Sequence, residues 1–159
     1  MPEFNSAEIT ALTGTRKTLA HYSSAGSGVA TIPFSYTIPG TGFAAGDSIV
    51  LGNIPTGARI LPQSRIVWQA LGGSATLVVG HKGFTQRDGT VVSANTAAFM
   101  ASTSAVSAGS ANFDAASRMA IGSLRDKAKT TPIVATVGAS AATPGAIISG
   151  NLVYSVGTT

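Results

Sequence analysis

The chain has 159 residues, 44% hydrophobic and only 10% charged, with ten Lys and Arg against six Asp and Glu, a net charge of +4 and a mean hydropathy of +0.32. That length suits one domain able to bury roughly two thirds of its unfolded surface. A charged share far below the roughly 25% of ordinary soluble domains leaves much of the surface to Ala, Gly, Ser and Thr, which a neighbouring subunit readily covers.

The absence of cysteine excludes disulfides and thiolate metal sites. Glu3 and Glu8 stand where a secretory signal needs basic residues before an apolar run, and no stretch reaches the ~20 apolar residues of a membrane helix. The expectation is a protein soluble on synthesis in a cytoplasm. The basic residues are scattered from Arg16 and Lys17 to Lys127 and Lys129, without the concentration and interleaved aromatics of a nucleic-acid surface, so nucleic acid is not the expected partner.

Residues 1–27 are polar and end in Ser23-Ser24-Ala25-Gly26-Ser27, with turn and linker chemistry. They read as an arm preceding a single domain over 28–159. Apolar Phe4, Ile9, Leu12 and Leu19 are too sparse for a core, so the segment either lies on a partner, with Arg16, Lys17, His21 and Tyr22 completing that contact, or is a frayed terminus.

From Gly28 onward the apolar period is 2. Ile32, Phe34, Tyr36 and Ile38 mark a strand that Pro33 places at a sheet edge or a bulge. Asp47 to Leu51 forms a second strand with Ile49 and Leu51 inward, ended by a turn over Asn53 to Gly57. Arg59 to Leu71 reads as strand material broken at Pro62, with Ile66, Trp68 and Ala70 inward. Gly72-Gly73 then predicts a hairpin to a strand over Ser74 to Val79.

Residues 92–117 lose the pattern. Asn95 is expected to cap a short helix over Thr96 to Ala101 that buries Phe99 and Met100, within an otherwise long irregular connection. Alternation returns at Met119 and Ile121, at Ile133, Ala135 and Val137, and in a long last strand with Ala146, Ile148, Gly150, Leu152, Tyr154 and Val156 on one face. The expected fold is an all-β antiparallel sandwich, jelly-roll-like with an extended N-terminal arm; an immunoglobulin-like sandwich is the alternative.

No constellation carries chemistry. Gly40-Thr41-Gly42-Phe43-Ala44-Ala45 matches a dinucleotide fingerprint in letters only, because a strand follows it instead of the helix whose N-terminus would hold phosphate. His21 and His81 lack partners at metal-ligand spacing, and no G-x-S-x-G elbow supports a serine nucleophile. His81-Lys82 reads as a solvated strand end, Asp47 and Asp88 as turn residues, and Trp68 and Tyr154 as core. Neither enzyme activity nor a cofactor or metal is expected, and contact with other protein subunits is the role that remains. The weighed alternatives are a single-stranded nucleic-acid barrel, which would need Phe34 and Tyr36 exposed, and a carbohydrate-binding module, for which one Trp and three Tyr are few.

The run from Gly46 to Ile60, with its Ile54-Pro55-Thr56-Gly57-Ala58 turn, and the run from Val67 to Gly80 around Gly72-Gly73-Ser74 resemble tailed-bacteriophage virion proteins. So do Ile133 to Thr136 and Gly145 to Tyr154. The resemblance is to head decoration, or cement, proteins. It implies a jelly-roll homotrimer that binds the major capsid protein lattice on the capsid exterior, reaches it from the host cytoplasm during assembly, and stabilises the expanded head by clamping neighbouring capsomers. A tail or head-tail joining structural protein is the alternative within the same class.

Overall fold

The computed structural model describes residues 3–5, 28–41, 43–55, 58–86, 88–113 and 130–156. Among them the chain forms β1 (Glu3–Asn5), β2 (Val29–Thr37), β3 (Ser48–Ile54), β4 (Ala58–Ile60), β5 (Arg65–Trp68), β6 (Thr76–His81), β7 (Phe84–Thr85), β8 (Val91–Val92), β9 (Asn95–Ser104), β10 (Gly109–Asn112), β11 (Thr131–Gly138) and β12 (Ile147–Val156). One sheet has the order β1-β3-β11-β6-β9 and the other β10-β5-β12-β2, with β4 beside β12 and β7-β8 a separate ribbon. Every pair is antiparallel except β1 with β3.

Leaving aside the short β1, β4, β7 and β8, the chain crosses between the sheets at each step from β2 to β6, passes β6 to β9 within one sheet, and crosses again at each step to β12. The result is a double-sheet jelly roll, an architecture found in viral capsid and lectin domains and in cupins. The period-2 pattern explains it physically. Ile49, Leu51, Leu77, Val79, Ile133, Ala135 and Val137 from one sheet meet Phe34, Ile66, Trp68, Ile148, Leu152 and Tyr154 from the other in one buried cluster. Val50 and Val134 form a separate buried pair. As expected, Pro33 sits on an outermost strand, where its missing N–H is tolerated, and the chain breaks at Pro62 between β4 and β5.

Several expectations are corrected. The segments on either side of Gly72-Gly73 are not a hairpin, because β5 pairs with β10 and β12 whereas β6 pairs with β11 and β9. The turn passes between sheets. Its glycines adopt φ of 77° and 54°, and a Cβ on either would press on the Thr143 or Ser140 hydroxyl. Ala70 is exposed, since the strand ends at Trp68. β3 continues through Asn53 to Ile54, so the turn begins later than the spacing suggested.

Residues 95–112 hold β9 and β10 instead of a helix and an irregular connection. Phe99 and Met100 are buried as expected, but through strand pairing with β6. The Asn95 side chain does accept a hydrogen bond, from Ala97 N–H at 3.1 Å, which is an Asx turn and not a helix cap. Met119 and Ile121 lie outside the described residues.

Candidate assembly surface

The outward face of the β10-β5-β12-β2 sheet follows directly from strand alternation. With Phe34, Ile66, Trp68, Ile148 and Leu152 committed to the core, the other parity points outward: Thr31, Pro33, Ser35 and Thr37 on β2, Ile147, Ser149 and Asn151 on β12, and Val67 with Arg65 on β5. Two cations stand on this face among the described strands, Arg65 and, on β4 opposite Ser155, Arg59; Arg65 Nη2 donates to Ser110 Oγ on β10 at 2.7 Å. Ile147 is 37% exposed and Val67 39%, on adjacent strands, and Val106 on the connection into β10 is 43% exposed. Large apolar side chains on a face with so little charge present a surface whose dehydration costs little.

Hydrogen bonds bring four connections together at one end of the sandwich, namely residues 38–47, 69–75, 105–108 and 139–146. Ile38 N–H donates to Ala146 O and Gly145 N–H to Ile38 O, each at 2.8 Å. Ala142 N–H donates to Phe43 O at 2.9 Å, and Thr143 donates to Leu71 O through both N–H and Oγ1, at 2.8 Å each. Leu71 N–H reaches Ala105 O at 2.9 Å, Ala105 N–H reaches Ala75 O at 2.8 Å, and Trp68 Nε1 donates to Ser107 O at 3.1 Å. These bonds fix loops that would otherwise be ordered only at an entropic cost on binding.

Buried Asp47 belongs to this end. Its Oδ2 accepts Ala44 N–H at 2.9 Å, the turn role expected for it. Burial, together with the negative charge of Asp47, pushes the Tyr36 phenol above its ordinary value of 10.0. The folded state therefore keeps a proton that the unfolded chain loses, so stability is intact below pH 10.0 and declines as pH rises beyond it. We expect the urea midpoint to fall between about pH 9 and about pH 11 more steeply for the native chain than for Tyr36→Phe; equal slopes would show that Tyr36 does not govern the alkaline limb.

The ribbon β7-β8 is capped by an ordered turn in which Asp88 Oδ1 accepts Thr90 N–H at 2.8 Å. That bond, with a further one from the Thr90 side chain, holds the Asp88 carboxyl below its usual range. His81 corrects the expectation of a solvated strand end. It is 3% exposed, its Nδ1 donates to Lys82 O at 2.9 Å, and its ring lies 5.3 Å from Phe84 and 6.1 Å from Phe99. Strand alternation carries it inward with Leu77 and Val79. Among the described residues no group of three His, Cys, Asp or Glu is placed to hold a metal ion.

Of the interface residues expected from sequence, Phe4 lies in β1 opposite Ile49 of β3. Ile9, Leu12, Arg16, Lys17, His21 and Tyr22 lie outside the described residues. Val67, Val106 and Ile147 were not singled out from sequence. The legible signal was the outward parity of strands whose inward residues had already been assigned.

No family model matches the chain, and no curated protein matches it. Among solved structures it is similar to a chain of the capsid of Ralstonia phage GP4, with 21% identity and a TM-score of 0.68, over 99% of this chain and 100% of that one. It is also similar to chains of infectious bursal disease virus strains Gt and Gx, with 15% and 18% identity and TM-scores of 0.44 and 0.43, in each case over 80% of this chain and 32% of the other. The likeness to the phage chain shows a shared fold.

Proposed function

We propose that this chain is a structural virion protein that binds the outside of a bacteriophage capsid as a homotrimer and stabilises the expanded head by clamping neighbouring capsomers. The observation that carries this reading is the end-to-end likeness of its jelly roll to a chain of the Ralstonia phage GP4 capsid. The low charge of the chain and the exposed apolar side chains of the outer sheet face support it, because many weak contacts repeated over a lattice give avidity without high single-site affinity. Residues 1–27 act as an arm and 28–159 as the body, with Arg16 and Lys17 steering the subunit toward an acidic capsid face. No cofactor takes part and no turnover occurs.

A clamp must rupture before the capsomers it bridges separate, and binding only to the expanded lattice stabilises that state by mass action. Purified protein mixed with matching capsids that lack it is expected to co-sediment with them and raise their melting temperature. Absence of binding, or binding without a shift in melting temperature, overturns the decoration role and favours a tail or head-tail joining role.

A further inference from the structure

The two ends of the five-stranded sheet differ. At one end β1 lies parallel on β3, pairing Glu3, Phe4 and Asn5 with Ser48, Ile49 and Val50. At the other, β9 is outermost, and no described strand lies beyond it. Sheet edges expose unpaired N–H and C=O groups, which proteins blunt with charge, proline, bulges, short strands or a cover. Three of the four edges are shortened, covered or interrupted by proline: β2 carries Pro33, β10 has four residues and β3 is covered by β1.

β9 has ten residues, and from Val91 to Phe113 the chain contains no Lys, Arg, Asp, Glu or Pro. Its register with β6 shifts twice, between Leu77 and Val79 and between Val79 and His81, which bends the first half of the strand and leaves the stretch to Ser104 paired with Thr76 and Leu77. Asn95, Thr96, Ala97, Ala101, Ser102 and Ser104 are all exposed. In the single chain, Ala97 N–H is occupied by Asn95 Oδ1 and Ala101 O by Thr103 Oγ1 at 3.0 Å, short-range bonds of the kind a strand ladder replaces.

Resting on the homotrimer reading, we propose that β9 is extended by β1 of a second copy of this chain, so that each β1 lies between its own β3 and the neighbour's β9. Strand directions fit. If β3 and β1 point up, then β11 points down, β6 up and β9 down, so a copy placed beside the first by rotation about an axis along the strands brings β1 antiparallel to β9. A closed ring of copies requires two different patches on each molecule, and the two ends of this sheet supply them.

Two full-length-fold variants and one measurement on the native chain test this. Deleting residues 1–5, and separately placing Ala97→Lys with Ala101→Lys on the edge, should each raise the concentration at which the trimer dissociates by at least about ten-fold in sedimentation while cooperative thermal unfolding is retained. In the native chain, the amides of β9 should exchange with solvent more slowly by about ten-fold or more when the protein is concentrated from monomer into trimer. A trimer unaffected by the lysines, or β9 amides that exchange equally in monomer and trimer, overturns the proposal, and the exchange result decides if the deletion fails to fold. A native chain that stays monomeric at high micromolar concentration also overturns it, while capsid binding by such a monomer leaves the virion reading standing.

Discussion

Replacing Gly80 with alanine is expected to lower stability by about 3 kcal/mol or more, although the change adds a single methyl group. Gly80 lies in β6, opposite Val134, on the parity that points away from the core residues Leu77 and Val79. Between Met100, paired with Val79, and Asn95, paired with His81, β9 contains more residues than the segment of β6 it faces. The excess is accommodated by a bulge that brings β9 close to Gly80, where an added Cβ would overlap the Asn95 carbonyl and the Thr96 backbone. Backbone cannot rotate out of the way as a side chain can, so the first half of β9 must shift. At roughly 2–4 °C per kcal/mol for a domain of this size, the melting temperature should fall by about 6–12 °C. Gly40→Ala is the control: it meets open space and should change stability by no more than about 0.5 kcal/mol. Equal melting temperatures for the two variants would show that β9 does not press on Gly80 in solution.

The same bulge explains where sequence reasoning succeeded and where it failed. Alternation was legible where one face of a strand is buried and the register is regular, as in β2 and β12, and it survived the single register shift between β3 and β11, so those strands define both layers of the sandwich. In β9 the bulge places Ala98, Phe99 and Met100 in succession inside the protein. Three consecutive buried residues erase a period of 2, and with Asn95 ahead of them they imitate the start of a short helix. The side-chain bond from Asn95 formed as its residue type suggests, but in an extended chain.

The Gly72-Gly73 error has a different source. Two glycines announce a tight turn, yet the turn alone does not decide whether the strands beside it pair or enter different sheets. That depends on Thr143 and Ser140, about seventy residues along the chain, which pack where either glycine would carry a side chain. A contact of such long range leaves no local trace. The candidate surface was equally divided: the low charge that marks it could be counted, but which outward residues share one sheet face became visible only once the strand order was known.

The second large effect is expected at Phe99. It is 1% exposed, stacks on Phe113 with ring centroids 5.9 Å apart at 15°, and lies 6.1 Å from His81, which in turn meets the edge of Phe84. These rings join β9, the chain after β10, the end of β6 and the start of the β7-β8 ribbon. Phe99→Ala removes both the transfer free energy of a buried ring and the stacking contact, leaving a cavity between elements that the bulge already holds out of regular register; about 3–5 kcal/mol is the expected loss. Because that is a large part of the roughly 5–15 kcal/mol that holds a domain folded, the urea midpoint should drop sharply with its slope nearly unchanged. Phe99→Leu retains most of the volume and should cost less than about half as much. Hydrogen exchange should show the loss first in the amides of β6, β9 and residues 82–94 around the ring cluster, and later in β2 and β12 of the opposite sheet. If Phe99→Ala unfolds at the same urea concentration as Phe99→Leu, the aromatic cluster is not what holds β9 to the sheet, and the edge that β9 offers to a second copy would have to be held by β6 pairing alone.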